Sequence, residues 1–361
     1  KSMEIEVDVT EENPDLDSFE QMEDGSIAFG EPTPPAEDTD FYANLADIMP
    51  DSDLNSLKND LMSNIESDKD SRGDWEKTYR EGLEYLGMKY EERSQPFEGA
   101  SGVMHPLLSE SVTQFQAQAY NELLPSQGPV KTQVLGMTTP ETEQQAARVQ
   151  EFMNYQLMQV MKEYDPETDQ MLFYLPLSGS AFRKVYYDQN LGRAVSKFIP
   201  SEDLIVPYSA TDLHSATRIT HVINMPMNDI RKLQQIGFYK DVDLDSGNMM
   251  ADETDDIQEG IDELQGVKPS YDDDDTCKVH EIHTELDIEG FEDMNAEGED
   301  TGIKLPYIVT IGNNKVLSIR RNYKENDQLK QRINYFVHYK FLPGLGFYGF
   351  GLTHMIGGLS K

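Results

Sequence analysis

Residues 178–207, SGSAFRKVYYDQNLGRAVSKFIPSEDLIVP, decide the fold of this chain. Aromatic and β-branched residues are frequent in 181–187 and 194–199, which predicts two strands. The loop between them, 188–192, contains Gly192, which adopts left-handed backbone conformations without steric cost. We therefore predict a β-hairpin, and because its strands offer few polar groups with an obvious chemical task, we interpret it as scaffold.

Helical patterns precede this hairpin. Apolar residues recur with helical spacing from about Asp53, Asp74, His105 and Thr139 onward, and again over 168–175, which predicts a series of helices. Asp74 and Thr139 are the predicted N-caps of their helices. We predict the fold class α+β, with a helical N-terminal region followed by a wing-like region rich in β-hairpins.

Extended segments follow the hairpin. Residues 204–207 and 216–225 are predicted to be extended, and 277–288 is predicted to be a longer strand. A second hairpin is predicted over 307–319, because its turn, Gly312-Asn313-Asn314, separates two apolar runs. Residues 333–341 are predicted to form a last, aromatic strand.

The helix predicted from Thr139 to about Tyr164 has a methionine-rich apolar face. This face consists of Ala147, Phe152, Tyr155, Met158 and Met161. Methionine side chains adapt readily to different partners, so such a face suits either binding or packing. We interpret it as packing in the core or between subunits.

Changes in composition along the chain predict several regions. These are an acidic disordered arm (1–50), a helical region (51–176), a β-hairpin with a short helix (177–240), an acidic loop or linker (241–276), a second β-rich region (277–343), and a glycine–aromatic bend with the start of a truncated helix (344–361). The acidic arm holds fifteen acidic residues and one basic residue, so burial cannot offset the entropy of ordering it. A solvated tail and a partner-docking arm anchored by Phe41, Tyr42 and Leu45 are both open.

The net charge of −37 is extreme, with 67 acidic against 30 basic residues among 361. Such a charge repels nucleic acid, anionic membranes and acidic partners at long range. No apolar run approaches the ~20 residues of a membrane helix, and no signal peptide is recognisable. We therefore expect a soluble intracellular protein without a membrane partner. Because the chain begins at Lys1 and ends in mid-pattern at Lys361, we also expect a fragment of a longer protein.

Catalytic and cofactor motifs are not recognisable. Gly99-Ala100-Ser101-Gly102 is similar to a nucleophile elbow, but Val103 stands where the motif requires glycine. Cys277 is the only cysteine, which excludes an internal disulfide framework and a metal site built from several cysteines. No glycine-rich phosphate cradle is present. We predict no catalytic residue and no cofactor.

Two segments are weak candidates for metal sites. Residues 241–252 begin like a calcium-binding loop, but Ser246 and Asp252 stand where glycine and glutamate are required. His280 and His283 are three residues apart on a predicted strand, so their side chains point to opposite faces. We predict no metal site in either segment.

The basic clusters of note lie near the C-terminus of the chain. Arg320, Arg321, Lys330 and Arg332 are candidates for contact with nucleic acid, because phosphate groups bind arginine and lysine. Clusters of this kind are more often solvated surface, so both interpretations are open.

Several segments together form a pattern that points to a family. They are Trp75 with Gly82-Leu83 and Leu86-Gly87, Gly99-Ala100-Ser101-Gly102-Val103-Met104-His105-Pro106-Leu107-Leu108, the unit 179–207 with Pro200-Ser201-Glu202-Asp203-Leu204, and Gly344-Leu345-Gly346-Phe347-Tyr348-Gly349-Phe350-Gly351 before a helix. Over roughly residues 50–361 the chain resembles the N-terminal and middle part of the portal (head-to-tail connector) proteins of podovirus-like tailed bacteriophages. The unit 179–207 and the glycine–aromatic bend are the most specific parts of this resemblance.

The resemblance implies the portal-protein fold and a homo-oligomeric ring, typically of about twelve subunits, at one vertex of the capsid. Double-stranded DNA is packaged and ejected through such a ring. The implied partners are the large terminase subunit, a tail or head-completion adaptor, and capsid and scaffolding proteins. The implied location is the virion, after assembly in the host cytoplasm.

Family members continue into a stem helix, a channel loop and C-terminal parts. The resemblance therefore implies that this chain is truncated before them, at the helix that begins near Leu352. It also makes residues 277–343 the candidate for a wing or clip element.

Two other functions are open. One is a soluble structural or scaffolding protein that forms no ring, which a stable monomer of the full-length protein would favour. The other is a metal-dependent hydrolase that uses residues of the acidic region 241–300. Tight stoichiometric binding of calcium or zinc, lost on replacement of Asp243 and Asp245, would favour the hydrolase. We expect no enzyme activity.

Overall fold

The computed structural model describes residues 40–86, 106–189, 191–244, 256–265, 276–294 and 299–360. All of these residues belong to one unit, Asp40–Lys361, whereas 1–39 lies outside the described residues. The described part combines helices with antiparallel sheets, so the fold is α+β. None of its helices is both long and apolar enough to cross a membrane.

The helices of the described ranges lie mainly in the N-terminal half. They are α1 (Asp51–Asp70), α2 (Gly73–Tyr85), α3 (Leu107–Leu123), α4 (Pro140–Tyr155), α5 (Tyr164–Ser178), α6 (Met227–Gln235), α7 (Asp256–Gln265) and α8 (Leu352–Ser360). A π-helical segment, Gln156–Val160, continues α4. The apolar stripe predicted in the first helix is confirmed, since Leu54, Leu61 and Ile65 of α1 are buried.

The two predicted N-caps have different outcomes. Thr139 caps α4 as predicted: the Thr142 N–H donates to Thr139 Oγ1 (3.3 Å), and the Thr139 N–H donates to Thr142 Oγ1 (2.9 Å). The prediction of Asp74 as a cap is wrong. Helix α2 begins one residue earlier, at Gly73, and Asp74 lies in its first turn, where a negative charge favours the positive end of the helix dipole.

The strands form two antiparallel sheets. They are β1 (Ser180–Asp188), β2 (Arg193–Ile199), β3 (Leu204–Ile205), β4 (Arg218–Pro226), β5 (Thr276–Leu286), β6 (Leu305–Gly312), β7 (Lys315–Arg321) and β8 (Phe336–Lys340). Sheet A has the order β2-β1-β8, and sheet B has the order β3-β4-β5-β6-β7. The hairpin predicted from residues 181–187 and 194–199 is β1–β2, in the register Phe182↔Ile199.

The predicted division into two separate β-rich regions, 177–240 and 277–343, needs correction. Strand β8 comes from the second region but pairs with β1 of the first, in the register Arg183↔Val337. Strand β4 comes from the first region but pairs with β5 of the second. Each sheet therefore combines strands from both regions, because the chain returns to earlier strands over long sequence separations.

Turn residues set the second predicted hairpin. Strands β6 and β7 are joined at Asn313 and Asn314, whose φ angles are +44° and +61°. Two consecutive residues with positive φ are the requirement of a type I′ turn, whose twist matches that of the flanking strands. The hairpin prediction over 307–319 is confirmed.

The end of the predicted disordered arm is ordered, which corrects the prediction for residues 40–50. Leu45 is fully buried in the apolar core between α1 and sheet B. Asn44 continues this attachment, because its Nδ2 donates to the Leu317 carbonyl (3.2 Å) and its Oδ1 accepts from the Ile319 N–H (2.9 Å). Apolar burial and pairing with an edge strand thus outweigh the acidic composition in this segment.

The predicted acidic linker, 241–276, also contains an ordered element. Helix α7 packs against α2, and its Ile257 is fully buried in a cluster with Tyr79 and Leu83. The linker prediction is corrected here, because the few apolar residues of α7 lie on one side of the helix and find a partner. Residues 245–255 and 266–275 lie outside the described residues.

Three glycines bring the two most specific parts of the family resemblance into backbone contact. A Cβ atom on Gly349 would lie 2.4 Å from the Gly179 carbonyl oxygen, and one on Gly351 would lie 2.4 Å from the Leu177 carbonyl oxygen. Gly179 ends α5 with a left-handed φ of +84°. The glycine–aromatic bend therefore lies directly on the junction between α5 and β1.

Candidate assembly interface

Residues 129–160, called the spur below, contain no buried residue. An extended segment runs beside α4 and is attached by polar contacts. The Val130 N–H donates to Asn154 Oδ1 (2.9 Å), Asn154 Nδ2 donates to the Val130 carbonyl (3.1 Å), and Thr132 Oγ1 donates to the Ala146 carbonyl (2.9 Å). The polar side of α4 thus binds the extended segment that contains Val130 and Thr132. The other side of α4 is exposed.

The open side of α4 is apolar. Val149, Phe152 and Met153 stand at helical positions i, i+3 and i+4 and are 50 %, 61 % and 44 % exposed. The methionine-rich face predicted on this helix is therefore not packed in the core. The exception is Met161, which is 5 % exposed. Packing against another subunit, the alternative left open by the sequence, is compatible with this surface.

The spur exposes many large apolar side chains. They are Leu135, Met137, Val149, Phe152, Met153 and Tyr155. Their summed exposed area is roughly 700 Å², which is comparable with the about 800 Å² that a standard interface buries per partner. An isolated helix of the length of α4 is only marginally stable in water, so a covering partner would stabilise it.

The base of the spur is fixed to sheet A. Arg183 of β1 is 3 % exposed, and its guanidinium group donates to Ser196 Oγ (3.1 Å), to Thr168 Oγ1 and to the Tyr164 carbonyl (3.4 Å). Arg193 of β2 forms an ion pair with Glu163 (2.7 Å). These contacts hold the start of α5 on the hairpin, so the spur leaves the body of the chain from a defined place.

Arg320 and Arg321, two of the predicted nucleic-acid contacts, hold the segment that precedes α1. Arg320 donates to the carbonyl groups of Tyr42 (2.7 Å) and Phe238 (2.8 Å). Arg321 donates to the Phe41 carbonyl (2.9 Å) and lies 5.0 Å from the centre of the Phe41 ring. Phe41, one of the anchors proposed for the acidic arm, thus docks on its own chain, whereas the Tyr42 side chain is 58 % exposed.

The other two candidates also have partners within the chain. Lys330 forms an ion pair with Asp293, and Arg332 donates to the carbonyl groups of Ala216 (2.6 Å) and Leu213 (2.8 Å). Both line an open cleft of about 620 Å³ that also contains Glu285. Each of the four basic side chains thus binds at least one group of its own chain, and contact with phosphate stays a prediction.

The weak metal and nucleophile candidates are only partly described. Within the described ranges, no group of three or more His, Cys, Asp or Glu side chains is arranged to hold a metal ion. Of the calcium-like loop, 241–244 is described, and Leu244 is buried there in an apolar cluster. The remainder of that loop lies outside the described residues, as does Ser101.

A partly buried ion pair, with side chains 14 % and 18 % exposed, joins the two sheets. Lys184 Nζ of β1 lies 2.5 Å and 2.7 Å from the two carboxylate oxygens of Glu281 on β5. His283 Nε2 lies 2.7 Å from Glu281 Oε1 and is 2 % exposed. The hairpin therefore carries a charged group with a structural task, which is compatible with its interpretation as scaffold.

Burial and charge shift the ionisation of this cluster. Burial alone would raise the pKa of Glu281, but Lys184 and the hydrogen bond with His283 hold that pKa far below its usual value. Burial, together with Lys184, lowers the pKa of His221, which faces Glu281 across the β4–β5 ladder, from 6.5 to about 3. Burial and Lys340 lower the pKa of His338 on β8 from 6.5 to about 3.

We expect mild acid to destabilise the fold. The folded chain keeps His221 and His338 neutral, whereas the unfolded chain protonates them below about pH 6.5, so unfolding takes up protons. Each histidine should lower the free energy of unfolding by about 1 kcal/mol per pH unit as the pH falls from about 6.5 toward 3. Urea unfolding at pH 7 and pH 5 measures this loss.

The variant His221→Gln tests which group is responsible for the pH dependence. It should reduce the loss of stability between pH 7 and pH 5 by about half, because His338 keeps its own contribution. An unfolding free energy of the unmodified chain that is independent of pH over this range would contradict the assignment.

A scan against protein-family models finds no match for this chain, and a search of the curated proteins finds no similar sequence.

Proposed function

We propose that this chain is a subunit of a bacteriophage portal. In this role it forms a homo-oligomeric ring of about twelve copies at one capsid vertex. Double-stranded DNA is packaged and ejected through the ring, and the tail attaches beneath it. The partners proposed with it are the large terminase subunit, a tail or head-completion adaptor, and capsid and scaffolding proteins. The proposed location is the virion, and the proposed role is structural rather than enzymatic.

The exposed apolar side of the spur is the observation that carries this proposal. A ring of identical subunits needs two different faces on each subunit, since every contact is heterologous. The spur provides one such face and is attached firmly at its base through Arg183 and Arg193. The convergence of Trp75 with the glycine–aromatic bend, where the Trp75 and Tyr348 rings stack at 4.4 Å, adds support.

The charge of the chain fits a conduit for DNA. Each phosphate contact adds salt-dependent affinity, which would slow the movement of a duplex through a channel. A net charge of −37 opposes such contacts, and the four basic candidates bind groups of their own chain. We therefore propose that DNA passes through the ring without being bound tightly.

We expect Phe152→Asp to prevent assembly of the full-length protein. Phe152 is the most exposed aromatic side chain on α4, and a buried charge there would remain unpaired in a subunit contact. The loss of about 2 kcal/mol or more per contact would weaken each contact roughly 30-fold or more. Light scattering coupled to size-exclusion chromatography measures the change in mass.

Ile236→Asp is the matched control. Ile236 is 62 % exposed, close to the value for Phe152, but it lies at the end of α6 and not on the spur. The control should assemble like the unmodified protein. Equal assembly of the Phe152→Asp variant would contradict a role of the spur in subunit contact.

A further inference from the structure

The outer face of sheet A, on the side away from sheet B, is apolar and only partly covered. Val185 and Tyr187 on β1 are 43 % and 64 % exposed, and Val337 and Tyr339 on β8 are 44 % and 37 % exposed. These residues share a face, because side chains alternate along a strand and Val337 pairs directly with Arg183. The opposite face carries Lys184, which reaches Glu281 of sheet B.

One helix covers this face incompletely. Helix α5 packs on β2 and β1, and among the described residues no helix covers the exposed part of β8. Helix α3 reaches only Phe341, just beyond the end of β8, through Phe115 (ring centres 5.1 Å apart). A helix is about 10 Å wide and strands are about 4.8 Å apart, so α5 spans about two of the three strands. A second helix would fit beside it.

The spur contains a helix, α4, whose apolar stripe is not covered by its own chain. Helix α4, with sixteen residues, is about 24 Å long, and β8, the uncovered strand, has five residues and is about 17 Å long, so the helix is long enough to cover the whole strand. The stripe of Val149, Phe152 and Met153 is apolar like the open face of sheet A. Within one chain the two surfaces stay apart, since both remain exposed.

We propose that the spur of one copy lies on the outer face of sheet A of the next copy, beside α5. This arrangement presupposes the proposed ring and specifies its subunit contact. The spur and the sheet face together expose roughly 1,000 Å² of apolar side chain, which is near the lower limit for a specific interface. Each copy donates a spur and accepts one, so the contact is heterologous and propagates until the ring closes.

Cysteine cross-linking tests this contact in the full-length protein. Phe152→Cys and Val337→Cys are made singly and together, and disulfides are formed under mild oxidation. The double variant should give a ladder of covalent multimers on a denaturing gel, and co-expressed single variants should give covalent dimers. Ile236→Cys combined with Val337→Cys is the control, and it should give at least about tenfold less product, because a disulfide needs Cα atoms within about 7 Å.

The mass of each sample is measured by light scattering before oxidation, which separates the possible failures. Oligomers without the ladder would overturn the contact between spur and sheet and leave the proposed ring intact. Strong dimers from Phe152→Cys alone would show a spur-to-spur contact and would also overturn it. A monomeric unmodified protein would overturn both proposals. Cys277 is buried and should not contribute to cross-linking, and the oxidised unmodified protein provides the baseline.

Discussion

Gly349→Ala should destabilise the fold by about 3 kcal/mol or more, among the largest effects of any single methyl group in this chain. Its Cβ would lie 2.4 Å from the Gly179 carbonyl oxygen and 2.9 Å from the Leu342 carbonyl oxygen. Both are main-chain atoms, so relief requires the backbone of the bend or of the α5–β1 junction to move. Such a shift would also strain the hydrogen bond from the Gly349 N–H to Ser180 Oγ (2.8 Å).

Gly346→Ala is the matched control in the same bend. A Cβ on Gly346 has no heavy atom within 4 Å, and its φ is not in the left-handed region. This variant should stay within about 0.5 kcal/mol of the unmodified chain. Urea unfolding of both variants measures the difference, and equal midpoints would contradict the close packing of the bend on the junction.

Lys184→Met should cost about 3 kcal/mol or more of unfolding free energy. It leaves the Glu281 carboxylate without its cation between the two sheets, and removing one partner of a buried ion pair costs more than the pair contributes. The double variant Lys184→Met/Glu281→Gln should recover much of this loss, because it removes both charges. Double-mutant analysis of urea unfolding gives the coupling between the two residues.

An exposed ion pair provides the control for this experiment. Lys232 and Asp229 are 67 % and 51 % exposed in their side chains, so Lys232→Met should change stability by less than about 0.5 kcal/mol. The account of the cluster would be contradicted by a loss at Lys184 as small as that at Lys232. It would also be contradicted by a double variant that loses the sum of both single effects.

Local features of the sequence were sufficient to predict much of the secondary structure. The turn residues Asn313 and Asn314 set the β6–β7 hairpin, and the cap at Thr139 set the start of α4. These signals act over a few residues, so no tertiary information is needed to read them. The α+β class followed from the order of such elements.

The pairing of the strands could not be predicted from such local signals. The pairing of β8 with β1 joins residues more than 150 positions apart in the sequence, and nothing local in 336–340 specifies that partner. The same limit applies to Lys184 and Glu281, whose charges lie within two predicted strands far apart in the sequence. The charged residues within these strands were the available signal, but their pairing becomes visible only in three dimensions.

The exposed apolar surface of the spur was predicted only in part. An apolar face was recognised on the helix that contains Phe152, but periodicity alone does not distinguish a face covered by its own chain from one covered by a neighbour. Exposure in the folded chain shows that its own chain does not cover this face. For Arg320 and Arg332, the binding partners within the chain are distant carbonyl groups, which the sequence alone could not indicate.

The mass of the full-length protein in solution tests the central claim most directly. Native mass spectrometry, with negative-stain electron microscopy of the same sample, should show one closed assembly of about a dozen copies as annular particles. A monomer under every solution condition, with no annular particles, would contradict the proposal that this chain builds a portal ring.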